Sequence, residues 1–163
     1  MFTIALNFVK KMLAVTNIYN DAYFMRQALI EAEKAFDDDE VPIGAIVVYE
    51  QTIIGKGYNQ VIRLNDATAH AEMIAITAAS SYIGGRVLKG CTIYVTLEPC
   101  TMCIGAIQLA RIDKLIYAAH EPKTGYSNFV HQQQHKKLKV QGGVEANASK
   151  VLLQNFFKQK RTK

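Results

Sequence analysis

Apolar residues recur at helical spacing from residue 21 to about residue 36, where Phe24, Met25, Ala28, Leu29, Ala32 and Phe36 form one stripe. Asn20 or Asp21 can cap this helix. Asp37, Asp38, Asp39 and Glu40 follow; negative charge is unfavourable at a helix C-terminus, so this run is expected as a solvated loop. The period then changes. Ile43 to Glu50 is a β-branched run of strand type, and Ile53 to Tyr58 is its hairpin partner across a turn at Gln51-Thr52. That turn has neither Asn-Gly nor Asp-Gly. Asn59 ends the strand, residues 60–67 read as a polar loop, and Ala69 to Ala79 is rich in helix formers with Thr68 as N-cap. Cys91 to Leu97 is a strand running into Pro99, which suits the first turn of a helix reaching about Leu109. Lys114 to Ala118 is the next strand. A loop over 119–137, containing a short helix, leads to a last strand at Leu138 to Gln141 that breaks at Gly142-Gly143. Ala146 to Lys160 is amphipathic: Val151, Leu152, Leu153, Phe156 and Phe157 can pack while the lysines face out.

Two strand–helix–strand steps with parallel neighbours predict an α/β layered domain with helices on both faces. The 163 residues suffice for one domain with a sizeable core: residues 1–20 read as an N-terminal extension and 21–163 as a single domain. The opening MFTIALNFVKKMLAV is apolar but lacks a basic region before it, and no stretch reaches the length of a membrane span. Three cysteines and no signal peptide argue against a disulfide framework and fit a reducing cytoplasm; Cys91 is expected as a small buried residue. Charge is uneven. Residues 1–135 hold 11 Lys/Arg and 13 Asp/Glu, whereas residues 136–163 hold 8 Lys/Arg and one acid. The basic C-terminal segment could meet nucleic acid phosphates, although a solvated helix face is the commoner origin of such a run.

The chemistry is concentrated in two short stretches, Thr68-Ala69-His70-Ala71-Glu72 and Glu98-Pro99-Cys100-Thr101-Met102-Cys103. Together they make an H-x-E…P-C-x-x-C pattern, the signature of zinc-dependent nucleobase deaminases. One imidazole and two thiolates give zinc three ligands and leave the fourth tetrahedral position for water, whose pKa falls towards about 7. The glutamate is not a ligand and moves the proton. Cys100 and Cys103 at i, i+3 share a helix face, and a helix N-terminus favours thiolate. His70 and Glu72, at i, i+2, would diverge on a regular helix. A structural zinc would need a fourth ligand; His120, His131 and His135 lack the close pairing of a zinc-finger half-site.

Beyond the motif, Glu40 to Ala45, Gly57-Tyr58-Asn59, Tyr94 to Cys100, Ala110-Arg111-Ile112 and Phe156-Phe157-Lys158 carry a resemblance over Tyr23 to Arg161. The chain resembles bacterial TadA-type tRNA-specific adenosine deaminases, within the cytidine deaminase-like superfamily. The resemblance implies a three-layer α/β/α fold with a central mixed five-stranded sheet. It also implies one zinc per subunit held by His70, Cys100 and Cys103, with Glu72 as the proton shuttle. Asn59 would hydrogen-bond the flipped adenine, Val41 and Leu97 would line its pocket, and main-chain groups near Ala71 would hold the reacting centre. Lys123 and Thr124 would belong to an anticodon-loop platform, and a homodimer would share the tRNA site. Lys158, Lys160 and Arg161 are candidates for RNA phosphates.

Three departures from the family pattern lie on the expected RNA side. Glu121-Pro122 stands where the family has Asp-Ala, Gly125-Tyr126-Ser127-Asn128-Phe129 replaces a Gly-Ala-x-Gly-Ser run, and His135-Lys136 replaces Asn-His. The expected activity is hydrolytic deamination of adenosine to inosine at the wobble position of tRNA. Deamination of a free guanine, cytosine or cytidine on the same scaffold is the alternative, and a non-catalytic RNA-binding subunit would be expected to lack Glu72.

Overall fold

The computed structural model describes residues 18–129 and 138–162. Its strands are β1 (Gly44–Tyr49), β2 (Thr52–Tyr58), β3 (Thr92–Leu97), β4 (Lys114–Ala119) and β5 (Lys139–Gly142). They form one sheet in the order β2-β1-β3-β4-β5. β1 runs antiparallel to both β2 and β3, while β3–β4 and β4–β5 are parallel, so the sheet is mixed. The helices are α1 (Asp21–Asp37), α2 (Val61–Leu64), α3 (Ala71–Ile83), α4 (Thr101–Leu109) and α5 (Ala146–Thr162), with a 3-10 turn at Tyr126–Phe129.

The period-two alternation of the central strands builds two cores. On one face Ala45, Val47, Ile93, Val95 and Leu115 pack with Ala71, Ala75 and Ala79 of α3 and Ile107 of α4. On the other, Ile46, Val48, Tyr94, Ile116 and Ala118 pack with Phe24, Met25 and Ala28 of α1. α5 joins the α1 layer, its Phe156 ring 5.8 Å from that of Phe36. The buried Ser149 hydroxyl of α5 donates to the Thr96 carbonyl of β3 at 2.5 Å. The result is the three-layer α/β/α architecture.

Several local expectations change. The first strand–helix–strand step does not join neighbours: β2 and β3 are parallel but β1 lies between them, and only the step through α4 links adjacent parallel strands. The hairpin turn is Glu50-Gln51, one residue earlier than expected, with φ of 46° and 62°. Two left-handed residues between Tyr49 and Thr52 make a type I′ turn, which suits strand twist even without glycine. Residues 61–64 form one helical turn rather than open loop. On α5 only part of the expected apolar face is covered, since Val151 and Phe157 stay exposed. α1 opens at Asp21 with Asn20 as its cap, and residues 1–17 lie outside the described residues.

Glycines set how closely the helices approach the sheet. A Cβ on Gly44 would sit 2.1 Å from the Ala28 carbonyl of α1, and one on Gly57 would sit 2.4 Å from the Ala71 carbonyl at the start of α3. Both contacts are with backbone, so relief requires a helix to move. Gly57→Ala should therefore cost about 1–3 kcal/mol of stability by overpacking. Because the displaced turn is the one that follows His70, the variant should also bind zinc more weakly. Denaturant unfolding and zinc titration check both effects; an unchanged midpoint would show that α3 is not held this closely.

Candidate active site

The two motif stretches meet because α3 and α4 begin side by side. His70 is the N-cap of α3, with extended φ −71° and ψ 153°, and Cys100 is the N-cap of α4, with φ −74° and ψ 176°. This replaces the expectation that Thr68 caps the first helix and Pro99 opens the second. Thr68 instead uses its N–H and hydroxyl to bond the Asp66 carboxylate. It also resolves the geometry of His70 and Glu72. The 100° step of a regular helix does not apply across an extended N-cap, so the two side chains need not diverge.

His70 Nδ1 lies 3.4 Å from Cys103 Sγ and 3.7 Å from Cys100 Sγ, and the three donor atoms all fall within 4.8 Å of one another. Tetrahedral zinc, with bonds of about 2.0 Å to nitrogen and 2.3 Å to sulfur, places its nitrogen and sulfur donors about 3.5 Å apart. The donor set and spacing therefore fit zinc. Among the described residues these three are the one group of His, Cys, Asp or Glu close enough to hold a metal ion. The Cys103 thiol donates to Cys100 and holds its pKa down at about 3, with His70 adding to the effect. The same bond, together with burial, pushes Cys103 up. His70 is raised chiefly by its bond to Cys100. Zinc, which requires thiolate ligands, must displace the proton on Cys103.

Glu72 is buried in the first turn of α3, and desolvation pushes its carboxyl above the ordinary range. Asn59 is also buried, at the end of β2. Its N–H donates to the Ile43 carbonyl at 2.9 Å, and the neighbouring Gln60 N–H donates to Ala69 at 3.0 Å. These bonds bring Asn59 beside the segment holding His70, Ala71 and Glu72. Val41 is half-buried two residues before Ile43, and Leu97 is half-buried at the end of β3, three residues before Cys100.

The altered loop is attached to the same centre. Glu98, buried next to Pro99, accepts the Glu121 N–H at 3.1 Å and the Ser127 N–H at 3.0 Å, and pairs with His120. Burial acts to raise the Glu98 pKa, but the bonds from Ser127 and Glu121 prevail and lower it. Tyr126 N–H donates to the Pro99 carbonyl at 2.9 Å, and Gly125 bridges to Cys100. Glu121 Oε1 accepts the N–H groups of Lys123 and Thr124, so this carboxylate closes the turn beneath them. Pro122 lacks a donor, but the closing donors come from residues 123 and 124, so its presence is compatible with the turn. Lys123 and Thr124 are exposed.

Two site residues escape the sequence pattern. Glu98 reads only as the residue before Pro-Cys. Glu40 is expected in a solvated loop, yet it is 1% exposed and bonds Asn59. Its position directly before the β-branched strand, at the end of an acidic run, is the available signal. Lys158, Lys160 and Arg161 lie in the last turns of α5. Lys160 pairs with Asp39, adjacent to Glu40, and sits over the Phe156 ring; Arg161 Nε donates to the Phe157 carbonyl. His135 and Lys136 lie outside the described residues.

Known proteins are similar to this chain in both sequence and fold. Residues 18–119 match the cytidine and deoxycytidylate deaminase zinc-binding region. The tRNA-specific adenosine deaminase of Agrobacterium fabrum is 42% identical over 144 residues, covering 85% of this chain and 95% of that protein. A solved structure from work on A-to-I editing by tRNA:A34 deaminases at the wobble position is 43% identical, with a TM-score of 0.76 over 80% of this chain and 99% of that one. Guanine deaminase from Bacillus subtilis is 35% identical, with a TM-score of 0.61 over 72% of this chain and 78% of that one. The chain belongs to the zinc-binding cytidine and deoxycytidylate deaminase family and, within it, to the tRNA-specific adenosine deaminases.

Proposed function

We propose that the protein hydrolyses adenosine to inosine at the wobble position of tRNA, releasing ammonia. The observation that carries this reading is the convergence of His70, Cys100 and Cys103 within 4.8 Å beside a buried Glu72. His70, Cys100 and Cys103 would hold zinc, which would supply the Lewis acidity that makes water a nucleophile near neutral pH. Glu72 takes one proton from the attacking water and gives it to the ring nitrogen, then takes the remaining proton from the new C6 hydroxyl and gives it to the amine, which leaves as ammonia. Burial makes its carboxylate more basic than usual, which suits a group that must both accept and return a proton near neutrality. Asn59 holds the base, Val41 and Leu97 line its pocket, and the backbone near Ala71 supports the reacting centre.

The RNA assignments follow from location. Lys123 and Thr124 stand exposed on a loop fixed to the Cys100 segment by Glu98, and this is the platform for the anticodon loop. The C-terminal turn of α5, with Lys158, Lys160 and Arg161, reaches the loop that carries Glu40 through the Lys160–Asp39 pair. RNA phosphates would take Lys160 from Asp39. Residues 21–163 act as one domain with residues 1–20 as an extension, and the subunit pairs with a second copy. Exposed Tyr82, Ile83, Val87 and Leu109 on and around the ends of α3 and α4 are apolar surface suited to that pairing. No described helix is long and apolar enough to cross a membrane, and the proposed tRNA substrate fits a cytoplasmic protein.

A deamination assay on the zinc-loaded protein tests the reading. An anticodon stem-loop with adenosine at its first position should yield inosine, while free adenosine, guanine and cytidine should not turn over. Guanine turnover without RNA activity would overturn the assignment in favour of a free-base deaminase. Glu72→Ala should retain zinc and lose activity by about 10²–10⁴-fold, the usual range for general acid–base catalysis. Substantial residual turnover would remove Glu72 from its role. Replacing Lys158, Lys160 and Arg161 together by Ala should raise KM for the stem-loop and flatten its salt dependence. An unchanged salt slope would show that these side chains do not meet phosphates.

A further inference from the structure

Glu40 stands between two elements of the site. Its Oε1 accepts the Arg63 backbone N–H at 2.7 Å, tying α2 down, and its Oε2 accepts Asn59 Nδ2 at 3.2 Å. The Asn59 backbone is already pinned to Ile43, so the main freedom left to its amide is which end faces Glu40. Both Glu40 oxygens act as acceptors, so Nδ2 turns towards Glu40 and Oδ1 turns away. Among the described residues, Asn59 Oδ1 receives no protein donor. Without Glu40 both orientations of the amide would be open, and each offers a different pattern to a base.

We propose that Glu40 is a positioning residue for purine discrimination: it locks the Asn59 amide so that Oδ1 and the second Nδ2 hydrogen face the base together. One acceptor and one donor side by side match the amino group and N7 of adenine, whereas guanine shows two acceptors on that edge. The inference rests on the role of Asn59 in holding the base, and it makes the orientation of Asn59 depend on a residue that does not touch substrate. The bond to Arg63 gives Glu40 a second effect, since the same carboxylate fixes the α2 turn directly after Asn59.

Glu40→Gln is the informative change because it preserves shape. If the substituted amide keeps the Arg63 bond through its oxygen, its NH2 group faces Asn59 and demands an acceptor, so the Asn59 amide flips and presents donors to the base. KM for the adenosine stem-loop should rise about tenfold, the effect of losing one good hydrogen bond, with a smaller change in kcat. Zinc content and melting temperature should stay unchanged. Adding Asn59→Asp to Glu40→Gln restores an outward acceptor and should recover part of the lost KM. A residue that merely fills space would leave KM unmoved in Glu40→Gln.

The wild-type protein supplies a readout independent of variants and substrate. In 15N NMR one Asn59 side-chain amide proton should be shifted and slow to exchange; exchange as free as at an exposed asparagine overturns the proposal. An unchanged KM in a folded Glu40→Gln also overturns it. If the wild type turns over guanine and not the stem-loop, the tRNA reading falls separately, and the amide signal still decides the positioning of Asn59.

Discussion

The structure depends on bringing two helix N-termini within a few ångströms of each other. Three ligand atoms must converge from His70, the N-cap of α3, and from Cys100 and Cys103 at the start of α4. Each helix begins after a strand, β2 through the short α2 turn and β3 directly, and β2 and β3 point the same way because antiparallel β1 lies between them. The mixed sheet therefore delivers both helix starts to one edge, at the carboxyl ends of the strands where ligands bind in open α/β sheets. Close packing fixes the remaining distance, since Gly57 lets the first turn of α3 rest against β2 backbone to backbone.

Around that centre the protein buries three carboxylates in different settings. Glu72 has desolvation as the leading influence, which raises its pKa and suits it to proton transfer. Glu98 receives the backbone N–H groups of Glu121 and Ser127, which favour its charged form and fasten the loop bearing Lys123 and Thr124. Glu40 receives Asn59 and Arg63. One carboxylate serves chemistry, and the other two hold the loop and the amide that meet the substrate. Burying a carboxylate is costly unless its oxygens find donors, and Glu40 and Glu98 find them in the backbone N–H groups of Arg63, Glu121 and Ser127.

Much of this is legible in the sequence because the signals are local. Strand-type runs, the apolar stripe of α1 and the spacing of Cys100 and Cys103 mark elements that form close to where they are expected, the second motif helix opening at Thr101 rather than at Pro99. The zinc ligands are legible because their side chains have few other reasons to recur in that order. What escapes is set by tertiary contact. Thr68 has the chemistry of an N-cap, but Asp66 captures both its N–H and its hydroxyl, leaving His70 at the cap position. Glu40 belongs by composition to an acidic surface run, and only the fold brings it to Asn59. The type I′ turn at Glu50-Gln51 lacks glycine, so composition alone could not place it.

A zinc site with three protein ligands and one open position has a distinct signature in X-ray absorption at the zinc edge. Each subunit should hold one zinc with two sulfurs at about 2.3 Å and light-atom donors at about 2.0–2.1 Å, one from His70 and one from water. A third sulfur would bring in Cys91, which is buried in the core beside β3, and would contradict the site described. Four protein ligands would make the site structural and leave Glu72 without a reaction to serve.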